Sequence, residues 1–210
     1  VLKKVIENYD KFDIILGWEK SLHKLPNYKF CPTTEVSQWN LLPEKLNIDN
    51  FQIYDKFKLI SFITSNKNIC SGHQFRLDCV DEIKINNPKV DIFGRGINPI
   101  PSKLDGLKDY YYSIAMENAS TPFYYSEKIL DCFLAGTVPI YYGCPNIEKF
   151  FNIKGIITFH TKKELIDIIN NITPQFYLDN LESIKENYNI AKNVWVDNDR
   201  FFNNYLKELI

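Results

Sequence analysis

Two adjacent charged residues, Glu127 and Lys128, stand where a helix should begin. Ser126 before them fits an N-cap, the apolar run after them fits a buried helix, Gly136 closes it, and residues 138–142 read as the next strand. Lys128 then falls in the first helical turn. A cation there opposes the helix dipole and the unsatisfied N–H groups, so an anion is expected at that end, and the natural anion is a phosphate. A second cation, Arg76, is expected in the early turns of a helix entered from the loop Ser65-Asn66-Lys67-Asn68. The two could clamp a pair of phosphates, the arginine by a forked contact and the lysine as a compact charge. Glu117-Asn118, followed by Ala119-Ser120-Thr121-Pro122, belongs to the same edge, where side chains could read the base or sugar of a nucleotide.

Each of these residues also has a plainer explanation. Arg76 could pair with Asp78 or Asp81 on a solvated helix face. Glu127 could simply complement the helix dipole. Tyr124, Tyr125, Tyr141 and Tyr142 are most simply packing residues. His73 and His160 have no carboxylate or cysteine companions at metal-ligand spacing and read as structural. Gly94-Arg95-Gly96 is a motif common to many loops between strand and helix.

The charged residues converge only if strand and helix alternate along the chain. Short strands are expected at 12–17 and 29–32, followed by a polar, proline-containing stretch at 43–50 that resembles an interdomain linker. Strands at 58–64, 90–93, 111–116, 138–142 and 156–159 then alternate with helices at 72–85, 126–135 and 162–171. Helical segments at 174–192 and 199–210 finish the chain, the last with an apolar stripe of Phe202, Tyr205, Leu206 and Leu209. The pattern calls for an α/β fold, a Rossmann-like parallel sheet with flanking helices on both faces. In such sheets ligands sit outside the carboxyl ends of the strands, which is the edge that carries the loops named above.

The chain of 210 residues is 45% hydrophobic and 15% aromatic, enough for a substantial core. Its net charge of −1 gives no reason to expect a nucleic-acid or polyanion binder. Five widely spread cysteines without a C-x-x-C pair point to buried thiols in a reducing compartment, not to a disulfide framework or a zinc site. No apolar run approaches the roughly 18 residues of a membrane span, and the opening Val1-Leu2-Lys3-Lys4 is not a secretory signal. A cytoplasmic location, with peripheral attachment to a membrane as an option, is the expectation. The chain does not begin with Met, so residues are expected upstream.

Taken in order, Glu117-Asn118, Tyr124-x-x-Glu127-Lys128 and Gly136-x-x-Pro139-x-x-x-Gly143 resemble the signature of the α1,3/α1,4-fucosyltransferases. Ser65-Asn66 followed by Arg76, and Val90-Asp91-Ile92-Phe93-Gly94, fall where that family opens its donor domain and ends a strand on glycine. The resemblance covers about 57–151 well and the remainder loosely. It implies an inverting, GDP-fucose-dependent glycosyltransferase of the two-domain GT-B type. Residues 1–50 would then be the end of a truncated acceptor domain plus linker, and 51–210 the GDP-fucose-binding domain with its carboxyl-terminal helices. The resemblance further implies Arg76 and Lys128 on the phosphates, Glu127 on the ribose, and Asn118 and Tyr124 lining the donor pocket, with Arg95 and Glu117 as secondary members. No cofactor beyond the donor is implied; a divalent metal could stimulate, although no metal site is visible. The partners implied are GDP-fucose and a glycan acceptor. In similar enzymes the base lies in the acceptor domain, and neither Glu19 nor Glu35 has a motif that supports it, so no catalytic base is assigned. Two alternatives stand beside this one: a GT-B transferase using another nucleotide sugar, and a non-catalytic donor-binding module.

Overall fold

The computed structural model describes residues 2–31, 52–87 and 89–194, together with positions 203 and 207. The expected linker at 43–50 and the apolar stripe of the last expected helix lie outside these residues. The chain opens with a small unit: helix α1 (Leu2–Glu7) and strands β1 (Ile15–Gly17) and β2 (Tyr28–Phe30), which pair in parallel with Ile15 beside Tyr28 and Gly17 beside Phe30.

From residue 58 the alternation follows the sequence pattern: β3 (Lys58–Ile63), α2 (Ser71–Asn86), β4 (Val90–Phe93), β5 (Tyr110–Met116), α3 (Glu127–Leu134), β6 (Val138–Tyr142), β7 (Ile157–Thr158) and α4 (Lys162–Asn171). The strands form one five-stranded sheet in the order β4-β3-β5-β6-β7, every pair parallel. The chain runs outward from β3 to β4 and then returns across β3 to β5. That reversal is the topological switch point, and the crevice beyond the carboxyl ends of β3 and β5 is where such sheets hold ligands.

Both faces of the sheet are covered. One layer packs Ile129, Leu130 and Phe133 of α3 with Tyr141 and Phe151; the other packs Ile60 and Phe62 with Val80 and Ile83 of α2 and Leu165 and Ile169 of α4. The buried hydroxyls of Ser61 and Ser113, on neighbouring strands, hydrogen-bond each other at 2.9 Å and so leave no polar penalty in the sheet. Helix α3 starts and stops where local chemistry dictates. The Ser126 hydroxyl accepts from the Lys128 N–H, and Gly136, at φ +65°, adopts the left-handed conformation while its N–H donates to Phe133 and that of Thr137 to Cys132.

Two expectations are corrected here. The helix expected over 174–192 is two helices, α5 (Pro174–Asp179) and α6 (Leu181–Val194). At the break, the Asn180 side-chain amide donates to the Phe176 carbonyl at 2.8 Å, taking the acceptor that its own backbone N–H would use in a continuous helix, and that N–H turns to Tyr177 instead. The expected strands at 12–17 and 156–159 are shorter, Ile15–Gly17 and Ile157–Thr158, because pairing with β2 runs only from Ile15 to Gly17 and pairing with β6 only over Ile157 and Thr158.

Candidate functional site

The switch-point crevice is built by close backbone approach. Gly94, at φ +130°, sits against the Thr64 carbonyl, where a Cβ would come within 1.6 Å, so the loop after β4 lies directly on the loop after β3. Gly72 in the first turn of α2 does the same to residue 118, since a Cβ there would meet the Asn118 carbonyl oxygen at 1.8 Å. The contact fixes the start of α2 on the end of β5 and brings Arg76, one turn on, over Asn118. Arg76 Nη1 donates to Asn118 Oδ1 at 3.1 Å and Nη2 to the Ser65 carbonyl at 3.5 Å.

Arg76 is 6% exposed, and its buried Nε has no hydrogen-bond partner among the described residues. Among the described residues no carboxylate pairs with it; Asp78 instead accepts from Gln74 at 2.7 Å. Burial pushes the guanidinium below its ordinary pKa. His73, on the same helix, is also held below its ordinary value, by burial and then by Arg76, Lys67 and Lys128.

At the start of α3 the structure revises the electrostatics read from the sequence. The anion beside Lys128 is the protein's own Glu117, which lies at the end of β5 and is 1% exposed. Its carboxylate accepts from the Ser126 N–H at 2.7 Å, from the Ser126 hydroxyl at 2.8 Å and from Lys128 Nζ at 3.1 Å. Glu117 therefore sits behind the crevice wall and holds the residues that form it. Burial opposes the charge on Lys128, but Glu117 and Glu127 outweigh it and raise the lysine above its ordinary pKa.

Glu127 lies 3.6 Å from Lys128 Nζ and 3.8 Å from Lys103 Nζ, both through Oε1. Its Oε2 is buried with no hydrogen-bond partner among the described residues. Burial works against ionisation of Glu127, yet the two lysines and the Ser126 hydroxyl together hold its carboxyl below the ordinary value. Lys103 also reaches Asp131 Oδ2 at 3.3 Å. Asp131 is buried, and that burial pushes it well above its ordinary value despite that contact. Lys103 was not among the sequence-predicted residues. The signal for it is the capping box of Ser102 and Asp105, which starts a short helical turn at Lys103 and fixes where that side chain leaves the loop.

Tyr124 packs at a tilt of 43° against Trp18 of the amino-terminal unit, with centroids 4.8 Å apart. Phe123 beside it adopts φ +66°, held by its N–H donating to Asn146 Oδ1 at 2.9 Å, and its ring meets Phe30, Phe150 and His23 edge-on. Arg95 is exposed and joins the rim through its backbone carbonyl, which accepts from the Asn66 N–H at 3.1 Å. Arg76, Asn118, Glu127 and Lys128 thus line one edge of the sheet, with Tyr124 between them and the amino-terminal unit. All five cysteines are free, four of them buried and Cys70 exposed. Among the described residues no group of His, Cys, Asp and Glu is arranged to hold a metal, and no helix is long and apolar enough to cross a membrane.

The family model for the carboxyl-terminal part of glycosyltransferase family 10 (fucosyltransferase) matches residues 53–200. The chain belongs to glycosyltransferase family 10, the fucosyltransferases. As a family 10 member it is 36% identical over 84 residues to a fucosyltransferase-like protein of Arabidopsis thaliana, 39% of this chain and 16% of that one. It is 28% identical over 114 residues to the α-(1,3)-fucosyltransferase FucT of Helicobacter pylori, 53% of this chain and 23% of that one. The matched segments are thus less than a quarter of those relatives' lengths. Among solved structures, an α1,3-fucosyltransferase with GDP superimposes at a TM-score of 0.60 with 21% identity, covering 92% of this chain and 72% of that one. The same kind of enzyme with GDP-fucose gives 0.51 with 26% identity, covering 67% and 48%. TarM gives 0.54 with 13% identity, covering 99% and 45%. The five-stranded parallel sheet of this family 10 chain is a Rossmann-like sheet of the GT-B glycosyltransferase kind.

Proposed function

We propose that this chain binds GDP-fucose in the switch-point crevice and serves an inverting transfer of fucose to a glycan hydroxyl. The observation that carries the proposal is Arg76: a buried guanidinium held by neutral oxygens, its Nε without a partner among the described residues, at the place where open α/β sheets bind ligands. A diphosphate supplies the missing anion and takes the forked contact that arginine makes best. Lys128, pinned by Glu117 yet 25% exposed along its side chain, adds a second, point-like charge. Glu127 accepts the ribose hydroxyls through Oε2, and Asn118 and Tyr124 line the remainder.

The chemistry follows from this placement. As GDP departs, negative charge grows on the β-phosphate, and fixed cations stabilise it without reorganising. The acceptor hydroxyl loses its proton to a carboxylate on the opposite side of the sugar. We place that base in an acceptor domain of which residues 1–50 are the end, with 51–210 as the donor domain; no residue described here is assigned the role. Arg95 and Glu117 take supporting positions, Arg95 at the rim and Glu117 behind it.

The test is thermal. GDP is expected to raise the melting temperature more than UDP does, by linkage worth about 2.7 kcal/mol when ligand is about 100 times its dissociation constant. A larger shift with UDP would replace the guanine donor with another nucleotide sugar. No shift with any nucleotide at millimolar concentration would remove the donor-site assignment.

A further inference from the structure

Glu127 and Asp131 are four residues apart, on one face of α3. Lys103 reaches across from the loop between β4 and β5 and lies between them, 3.8 Å from Glu127 Oε1 and 3.3 Å from Asp131 Oδ2. Lys128 approaches the same Oε1 of Glu127 at 3.6 Å. Two ammonium groups therefore gather one oxygen of the carboxylate. The other, Oε2, is left buried beside the crevice with no partner among the described residues. An acceptor in that state favours a hydroxyl that can donate to it.

Resting on the proposed donor site, we infer that Lys103 is a positioning residue for ribose recognition: anchored on Asp131, it locks the Glu127 carboxylate so that Oε2 faces the sugar hydroxyls. Without Lys103 the terminal torsion of Glu127 is free to turn, since that bond has broad minima, and Oε2 is no longer held towards the sugar. The phosphate contacts of Arg76 do not depend on Lys103, which is separated from them by Glu127 and Lys128. Loss of Lys103 should therefore weaken sugar recognition while sparing phosphate recognition, a split that general loosening of the fold would not produce.

The experiment measures dissociation constants of the full chain for GDP, 2′,3′-dideoxy-GDP and GMP. The original protein is expected to prefer GDP over the dideoxy analogue about tenfold or more, the scale of one hydrogen bond to a charged group. In Lys103→Met this preference is expected to fall below about threefold, while the ratio of GDP to GMP affinity stays within about twofold of the original. Lys103→Gln, measured in the same way, covers the case in which the methionine variant fails to fold. A full ribose preference in either folded variant overturns the inference. So does a parallel loss of the GDP-to-GMP ratio. If the unaltered chain binds GDP without distinguishing the dideoxy analogue, the inference falls and the phosphate assignment stands; if it binds no GDP, both fall.

Discussion

Lys128 sits in the first turn of α3, an unfavourable place for a cation, and a buried carboxylate resolves the conflict. Glu117 accepts hydrogen bonds from Lys128 and from both donors of Ser126, so the helix start is neutralised from behind. Asp131 presents the reverse case. It is enclosed so completely that burial outweighs the attraction of Lys103, and its pKa in the folded chain lies well above the value of about 3.9 that it takes when unfolded. The sign of the consequence is fixed. The folded form holds the proton longer than the unfolded one, so the stability from this group is fully present below about pH 4 and is lost as pH rises towards the folded pKa. Asparagine copies the protonated acid and does not titrate. Melting curves of the original chain and Asp131→Asn should coincide near pH 4, with the variant increasingly the more stable as pH rises to 8; an original chain more stable than Asp131→Asn at pH 8 would refute this.

At the scale of elements, much of the fold is legible because local signals and tertiary packing agree. Strands β4 and β6 and helix α4 occupy 90–93, 138–142 and 162–171, the spans that hydrophobic pattern and turn residues mark out. Helix α5 and α6 read as one helix because the breaking device, the Asn180 amide on the Phe176 carbonyl, is a side-chain bond that periodicity does not report. The partner of Lys128 was hidden for a related reason: Glu117 lies eleven residues earlier on another element, and only the packing of α3 on the end of β5 puts the two together. Sequence did place Arg76 and Lys128 at one sheet edge, since both follow from which ends of the strands their loops leave. Gly72 tests how tightly that edge is built. In Gly72→Ala the new methyl would lie 1.8 Å from the Asn118 carbonyl, so the start of α2 must move. Overpacking of this kind costs on the order of 1–3 kcal/mol. A lower denaturant midpoint together with weaker GDP binding is expected, whereas a variant matching the original in both would show that the contact relaxes without consequence.

Across the whole molecule, the crevice has two kinds of wall. The sheet supplies the cations through α2 and α3, while the amino-terminal unit closes on Phe123 and Tyr124 with Trp18, His23 and Phe30. Aromatic contacts of this kind, each worth roughly 0.5–1.5 kcal/mol beyond area burial, tie the loop before α3 to residues far away in sequence. The opposite edge is built for anchorage: Lys56 Nζ donates to the carbonyls of Lys108 and Ala135, at 2.8 and 2.7 Å, and to the Thr137 hydroxyl at 3.0 Å, so its hydrogen bonds are satisfied within the protein. The two edges make the central claim testable by locating one ligand. A crystal structure of the full chain with GDP is expected to place the diphosphate within about 3 Å of Arg76 and the ribose against Glu127, and Arg76→Ala is expected to lose roughly 1.5–3 kcal/mol of GDP affinity. GDP bound elsewhere, whether at the Lys56 edge or on the outer face of the sheet, with Arg76 untouched, would contradict the account.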